Sequence, residues 1–281
     1  MTALTSPEVS PSLSVRTGDF ADRAPILFAA TILAAIMIPV TLVLHAADQR
    51  ILDGEAVWLK PLKFQISMLV HGATLFLLSG LVDEGFRRRL WVRVPLGMVG
   101  VAMLYESVFL SIQAGRGVRS HFNDDTAFDA IGGAIMSYGA GLLVTGPFVL
   151  GLVILVRAGW TRRLTPLHLA AALGLVMGAG LAIWSGTYMG MNRGPFVGTH
   201  EMGDPALPLF GWSLVAGDYR IGHFFGLHTM QALPLAALAL LGLPARVGYP
   251  AVLAVAAACG GLTAWASLSA HAGLPILGLP L

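Results

Sequence analysis

The chain has 281 residues, 56% of them hydrophobic and only 11% charged, with a net charge of +2. A soluble domain carries roughly 25% charged residues, so these few charges cannot cover a water-exposed surface, and lipid must cover most of it. The pI near 8.9 comes from arginine-rich turns rather than a basic face, which argues against nucleic acid as a partner, and the single cysteine, Cys259, excludes an intrachain disulfide or a cysteine metal cluster.

A spanning helix needs about 20 apolar residues. In chain order the apolar runs predict helices over 25–46, 58–82, 92–113, 130–156, 166–188, 219–241 and 248–271. The expected fold is therefore an all-α polytopic membrane bundle of about seven transmembrane helices, one domain over 25–281 in the lipid bilayer. Residues 1–24 are rich in Ser, Thr and Pro and read as a mobile polar tail. Arg87, Arg88, Arg89 and Arg93 follow the second run, Arg157, Arg162 and Arg163 the fourth, and Arg246 the sixth. The positive-inside rule puts these turns in the cytoplasm, with the N-terminus inside and the C-terminus outside. No internal repeat is evident. Gly174 with Gly178, and Gly186 with Gly190, are small-xxx-small pairs that predict close helix packing.

The polar residues of the spans collect at one end. Seven of the eight histidines (His45, His71, His121, His200, His223, His228 and His271) map to the outer half or the outer loops. His168 lies near the inner surface, behind an expected N-cap at Thr165 and a first-turn Pro166. Lys60 and Lys63, the only lysines, open the second span, and with Ser67 and His71 they make a stripe on one helical face. Snorkelling of the lysines to headgroups is the plain alternative.

Glu106 in the third span is the only acidic residue deep in any span, and such a group is costly enough to point to function. A neutral, hydrogen-bonded glutamic acid that fixes packing is the alternative. The segment after it carries Gln113, Arg116, Arg119, His121 and Asn123, with Asp125 or Thr126 as a cap for the fourth span. The sixth span opens with Asp218, Arg220, His223 and His228, followed by Gln231. Cys259, Thr263, Ser267 and His271 form a further stripe in the seventh.

These stripes predict an outward-facing polar cavity. Its basic rim of Lys60, Lys63, Arg116, Arg119 and Arg220 predicts an anionic small molecule or lipid headgroup, with His121, Asn123, Asp218 and Gln231 as further ligand-binding residues. His71, His228 and Glu106 are candidate metal ligands, because imidazole is the commonest metal ligand, and Glu106, Lys63 and His223 are candidate catalytic residues. Met189, Met191, His200 and Met202 in the long segment 189–218 are soft or borderline ligands for copper. Pro205 to Val215 reads as an apolar interfacial lid.

Three stretches, Trp58-Leu-Lys-Pro-Leu-Lys-Phe64, Gln113-Ala-Gly-Arg-Gly-Val-Arg-Ser-His-Phe-Asn123 and Asp218-Tyr-Arg-Ile-Gly-His-Phe-Phe-Gly-Leu-His228, resemble an uncharacterised family of bacterial multi-pass membrane proteins. That resemblance implies the bacterial cytoplasmic (inner) membrane and brings no activity. Ser67-x-x-x-His71 is similar to the Ser-His motif of the seven-helix zinc hydrolases that include alkaline ceramidases and adiponectin-type receptors. In that comparison Glu106 replaces their acidic residue, and His223 and His228 are separated by four residues rather than three. A rhodopsin-like retinal site needs a lysine in the last helix, and there is none.

The leading expectation is a membrane enzyme or redox protein with zinc, copper or non-covalent haem in the cavity. The alternatives are a proton-coupled transporter or anionic-ligand sensor, and an accessory subunit of a membrane complex.

Overall fold

A computed structural model describes residues 24–162, 164–201 and 203–275; the expected N-terminal tail lies outside them apart from Ala24. Its long helices are α1 Pro25–Ala47, α2 Leu59–Ser79, α3 Leu90–Arg116, α4 Ala127–Trp160, α5 Pro166–Met191, α6 Tyr219–Ala239 and α7 Ala245–His271. Six of them, all but α6, are long and apolar enough to cross a membrane. The chain is a multi-pass helical membrane protein. Its outer surface fits lipid: Val43, Tyr138 and Leu235 are 69%, 80% and 63% exposed.

Local chemistry sets the helix ends. Pro166 opens α5 where a missing N–H costs nothing, and Thr165 caps it by accepting from His168 N. Thr126 caps α4 in the same way by accepting from Asp129 N. Gly117 closes α3 in the left-handed conformation (φ 71°) that glycine tolerates best.

Glycines let the helices touch. A Cβ on Gly100 would lie 2.5 Å from Leu27 N, so α3 meets the α1 backbone directly. Gly174 and Gly178 bring α5 onto Met230 of α6. Gly186 faces His223, whereas Gly190 has nothing within 4 Å, so only half of that second expected pair packs. The apolar core runs through α1–α5, from Leu27 and Leu75 to Met103, Ile154 and Leu175, and reaches α6 at Met230.

The two ends differ. One holds the arginine-rich turns: Arg157 bonds Asp83 (2.8 Å) and lies over the Phe86 ring, beside exposed Trp91, with exposed Trp160 near by in sequence. At the other end three two-stranded pairs fold over the bundle. They are β1 Ile51–Leu52 with β2 Glu55–Ala56, β3 Phe196–Val197 with β6 Gly217–Asp218, and β4 Ala206–Leu207 with β5 Trp212–Ser213.

Candidate functional site

Helices α2 and α6 both start at the loop end and run in the same direction. Gln231 Nε2 donates to Thr74 Oγ1 (3.0 Å), and this pairing fixes their register. At that register Lys63 stands level with Arg220, and His71 with His228. The two backbones hardly approach each other, because side chains make the contact. The space above the Gln231–Thr74 pair, bordered by exposed Ser67 and the partly exposed Lys63, Phe224 and His228, is the candidate cleft, and that pair is its floor. His228 Nδ1 bonds Gln231 Oε1 (3.2 Å), and His71 Nε2 bonds the Leu143 carbonyl of α4 (3.2 Å). His71 and His223 both lie within electrostatic reach of His228. His223 Nδ1 meets the Ser185 hydroxyl of α5 (3.1 Å). Ser67, between Lys63 and His71 on the same face, stays exposed.

A lid closes the top. The β4–β5 hairpin tip presents two adjacent carbonyls, one to each wall. Lys63 Nζ of α2 donates to Phe210 O (3.3 Å), and Arg220 Nη2 of α6 donates to Gly211 O (2.5 Å). The Phe210 ring packs edge-on to Phe224, which leans on His228 (centroids 4.3 Å apart). Leu209 and Gly211 take positive φ (70° and 69°) to make this tip. The hairpin in the segment Pro205–Val215, expected to be an apolar lid, is thus fastened to both α2 and α6.

The basic rim differs from the expectation. Arg116 pairs with buried Asp129 (2.5 Å), which also accepts from Gln113 (2.6 Å) and Thr126 (2.6 Å). This saturated network staples α3 to α4. Arg119 pairs with Asp53 (2.6 Å), Lys63 with Glu55 (3.2 Å) and Arg220 with Asp218 (2.6 Å). Arg50 and Arg193 at the same end are paired with Asp48 and Asp124. Asp218 is a cap: its carboxylate accepts from the Ser213 and Arg220 amides. Asn123 Nδ2 bonds the Arg119 carbonyl and shapes its own loop. Among the described residues, Lys60 is the one lysine or arginine at this end with no carboxylate at ion-pair distance. It is exposed, and Asp53, Glu55, Arg119 and Arg220 all act on it electrostatically.

His121 joins this mouth. Its ring lies 5.9 Å from Phe64, and its Nδ1 meets the Ser120 hydroxyl (2.9 Å). Burial, with a smaller contribution from the Lys60 charge, pushes its imidazole down to about 3. The neighbouring ion pairs shift as expected: the Arg50 guanidinium holds the Asp48 carboxyl far below the usual range, and Asp53 raises Arg119.

Two expectations need correction. First, His71, His228 and Glu106 do not form a metal-ligand set: among the described residues no three His, Cys, Asp or Glu side chains come together to hold a metal. Glu106 faces α4, where a Cβ on Gly139 would meet its Oε1 at 3.4 Å; His71 meets the same helix one turn on, at the Leu143 carbonyl, and His228 bonds Gln231 on its own helix. Glu106 is 3% exposed and has no hydrogen-bond partner among the described residues, Lys63 and His223 included. Second, the Cys259–His271 stripe does not line the cleft. Ser267 and Thr263 pack against Gly222 and Gly226, and His271 bonds Tyr219 (2.9 Å), because small residues on α6 draw α7 onto its far side. Of the expected copper set, His200 is engaged by Ser213 (3.1 Å) and stacked on Phe196, Met191 is 78% exposed, and Met202 lies outside the described residues.

The sequence reading missed the lid's anchoring carbonyls, since no residue type marks a carbonyl that will receive a cation. It also missed the carboxylate partners of the rim, which come from separate loops. No family model, curated protein or solved structure matches the chain.

Proposed function

We propose that this protein is a ligand-binding membrane protein, a carrier or receptor, that takes an anionic ligand into the lidded α2–α6 cleft. One observation carries the reading: at the loop end every other lysine and arginine described is neutralised by a carboxylate, and Lys60 is left accessible and unmatched at the cleft mouth. An unmatched cation among satisfied pairs is a standing attraction for an anion. Below it, His223, His228 and Gln231 offer hydrogen bonds, and Phe64 and Phe224 offer apolar walls. This lining of a few polar groups on aromatic surface is what small-molecule sites use.

The reading includes seven spans. α6 counts as the seventh because it lies among the others, against α5 and α7, and its polar face turns to the cleft. With α6 as a span, the arginine turns after α2, α4 and α6 share one side, which the positive-inside rule assigns to the cytoplasm, with the lid outside, in the bacterial inner membrane that the family resemblance implies. The zinc or copper enzyme draws no support from the side-chain placement, since among the described residues no three His, Cys, Asp or Glu side chains come together.

The test is thermal unfolding of purified protein with phosphate- and carboxylate-bearing compounds, soluble and lipidic. At least one should stabilise the wild type and fail to stabilise Lys60→Gln. Equal stabilisation of the variant, or no response to any anion, refutes the reading.

A further inference from the structure

We infer that the seam between α1 and α2 binds water at a second polar site, built by Thr41, His45 and Gln65 and separate from the α2–α6 cleft. The site stands independently of the anion reading.

Two contacts fix how the antiparallel helices face each other. Gly72 of α2 lies directly against the Thr31 side chain of α1. At the loop end, Trp58 Nε1 donates to Asp48 Oδ2 (2.8 Å), just beyond the last turn of α1. Gln65 lies midway between Trp58 and Gly72, so it stands opposite residues 38–41. Thr41 is 0% exposed and Gln65 1% exposed, each on the buried face of its helix. His45 follows Thr41 by one turn and is half-buried. Thr41 Oγ1, His45 Nδ1 and both polar atoms of the Gln65 amide are buried with no hydrogen-bond partner among the described residues.

Buried polar groups are almost always hydrogen-bonded, and each one left unpaired is costly. The other threonines within the described long helices meet this demand themselves. Thr31, Thr74, Thr145, Thr187, Thr229 and Thr263 each donate to the carbonyl four residues back (2.7–3.0 Å). Thr41 does not, so its hydroxyl stays available to a partner outside its own helix. A direct bond to Gln65 would not suffice. One hydroxyl cannot serve the carbonyl and the amino group of the same amide together, and His45 would still lack a partner.

The surroundings define the occupant. It is small, because the seam is closed at both ends. Above, Arg50 holds Asp48 (2.6 Å) and reaches the Gly115 carbonyl at the end of α3 (3.1 Å). Below, Ala34, Met68 and Leu75 lie in the apolar core. It is uncharged, because a hydroxyl, an imidazole and a carboxamide supply no carboxylate, lysine or arginine to fix an ion. It both donates and accepts, because Gln65 presents one group of each kind. Water meets all three conditions, and a buried water typically makes about three such bonds.

X-ray footprinting of the full chain in nanodiscs reads bound water, because radicals formed from a buried water oxidise the side chain beside it. Met68, three residues from Gln65 and 5% exposed, is the reporter, and Met136, 3% exposed, is the control. Met68 should be oxidised severalfold faster than Met136, and Thr41→Val combined with Gln65→Leu should bring the two rates together. Rates already alike in the wild type overturn the inference, whether or not the variants fold. Stability gives a second reading. Thr41→Val and Gln65→Leu should each lower the thermal midpoint by about 2–4 °C. The double variant should lose less than the sum, because removing both partners of a shared water leaves fewer groups unpaired. A higher midpoint for either single variant shows a dry site, and strictly additive losses show that no water is shared; each overturns the inference.

Discussion

Arg220→Gln should unfasten the lid without unfolding the bundle. The guanidinium makes three kinds of contact: a fork onto Asp218, a hydrogen bond to Gly211 O (2.5 Å) and a position over the Phe196 ring (4.8 Å). Only the bond to Gly211 reaches the lid tip directly. A hydrogen bond to a charged group is worth about 1.5–3 kcal/mol. The Arg220 side chain is 32% exposed, so solvent screening favours the lower half of that range, about 1.5–2 kcal/mol. That is about 10–30-fold in the open-to-closed ratio. Asp218 keeps its two backbone donors, the Ser213 and Arg220 amides, so the start of α6 remains capped. The second anchor is weaker, since Lys63 divides its ammonium between Phe210 O at 3.3 Å and the two Glu55 oxygens at 3.2 Å. Hydrogen–deuterium exchange over 206–213 reads the result directly, because Gly211 N–H is tied to Leu207 O (2.8 Å) only while the hairpin is formed. Exchange there should quicken about 10–30-fold, with α2 and α7 unchanged, and Lys63→Met should give a smaller effect. Unaltered exchange in the hairpin refutes the clamp. Equal acceleration through α5 and α6 assigns Arg220 to stability instead.

Two further outcomes test the frame of the site. Gly100→Ala should destabilise the bundle by about 1–3 kcal/mol, because overpacking against backbone cannot be relieved by a rotamer change; the added carbon would lie 2.5 Å from Leu27 N and 2.8 Å from Leu27 Cα. Gly97→Ala, with nothing within 4 Å, is the control and should leave the thermal midpoint in place. Acidification should weaken the mouth through His121, whose imidazole falls from 6.5 to about 3 on folding. Between those values the unfolded chain binds a proton that the folded chain refuses, so stability drops as pH falls through that window. His121→Gln should flatten that part of the pH–stability curve, and an unchanged curve rules this cause out.

The sequence revealed the helices and one end of the site but not its pairing. Apolar length and caps depend on near neighbours, so Pro25, Thr126, Thr165 and Pro166 mark starts that the structure keeps or shifts only slightly. The stripe Lys60–Lys63–Ser67–His71 was visible for the same reason: helical periodicity is local. What the sequence did not show is which stripes face one another. Glu106 and His71 lie at comparable depth, yet one turns to Gly139 and the other to the Leu143 carbonyl, one turn apart on the same helix. Depth alone cannot separate them. The rim looked strongly basic because Arg116, Arg119 and Arg220 are conspicuous, whereas Asp129, Asp53 and Asp218 read as loop and cap residues. Once folded, each of these arginines meets its acid.

The polarity of α6 has the same origin. It is the one long helix not apolar enough to qualify as a span on composition. Its deficit lies in Arg220, His223, His228 and Gln231, which stand at the cleft and its α5 edge, while its buried residues, such as Gly222, Gly226, Met230 and Leu233, pack on α7 and α5. A helix that only had to sit in lipid would gain from replacing those four residues, since intramembrane polar groups are costly and are kept where they face a cavity or one another. Substituting leucine for His228 should therefore leave α6 in place and disturb the floor, where His228 and Thr74 meet at Gln231. The residues that make α6 the least apolar of the long helices are thus the same ones that border the candidate cleft.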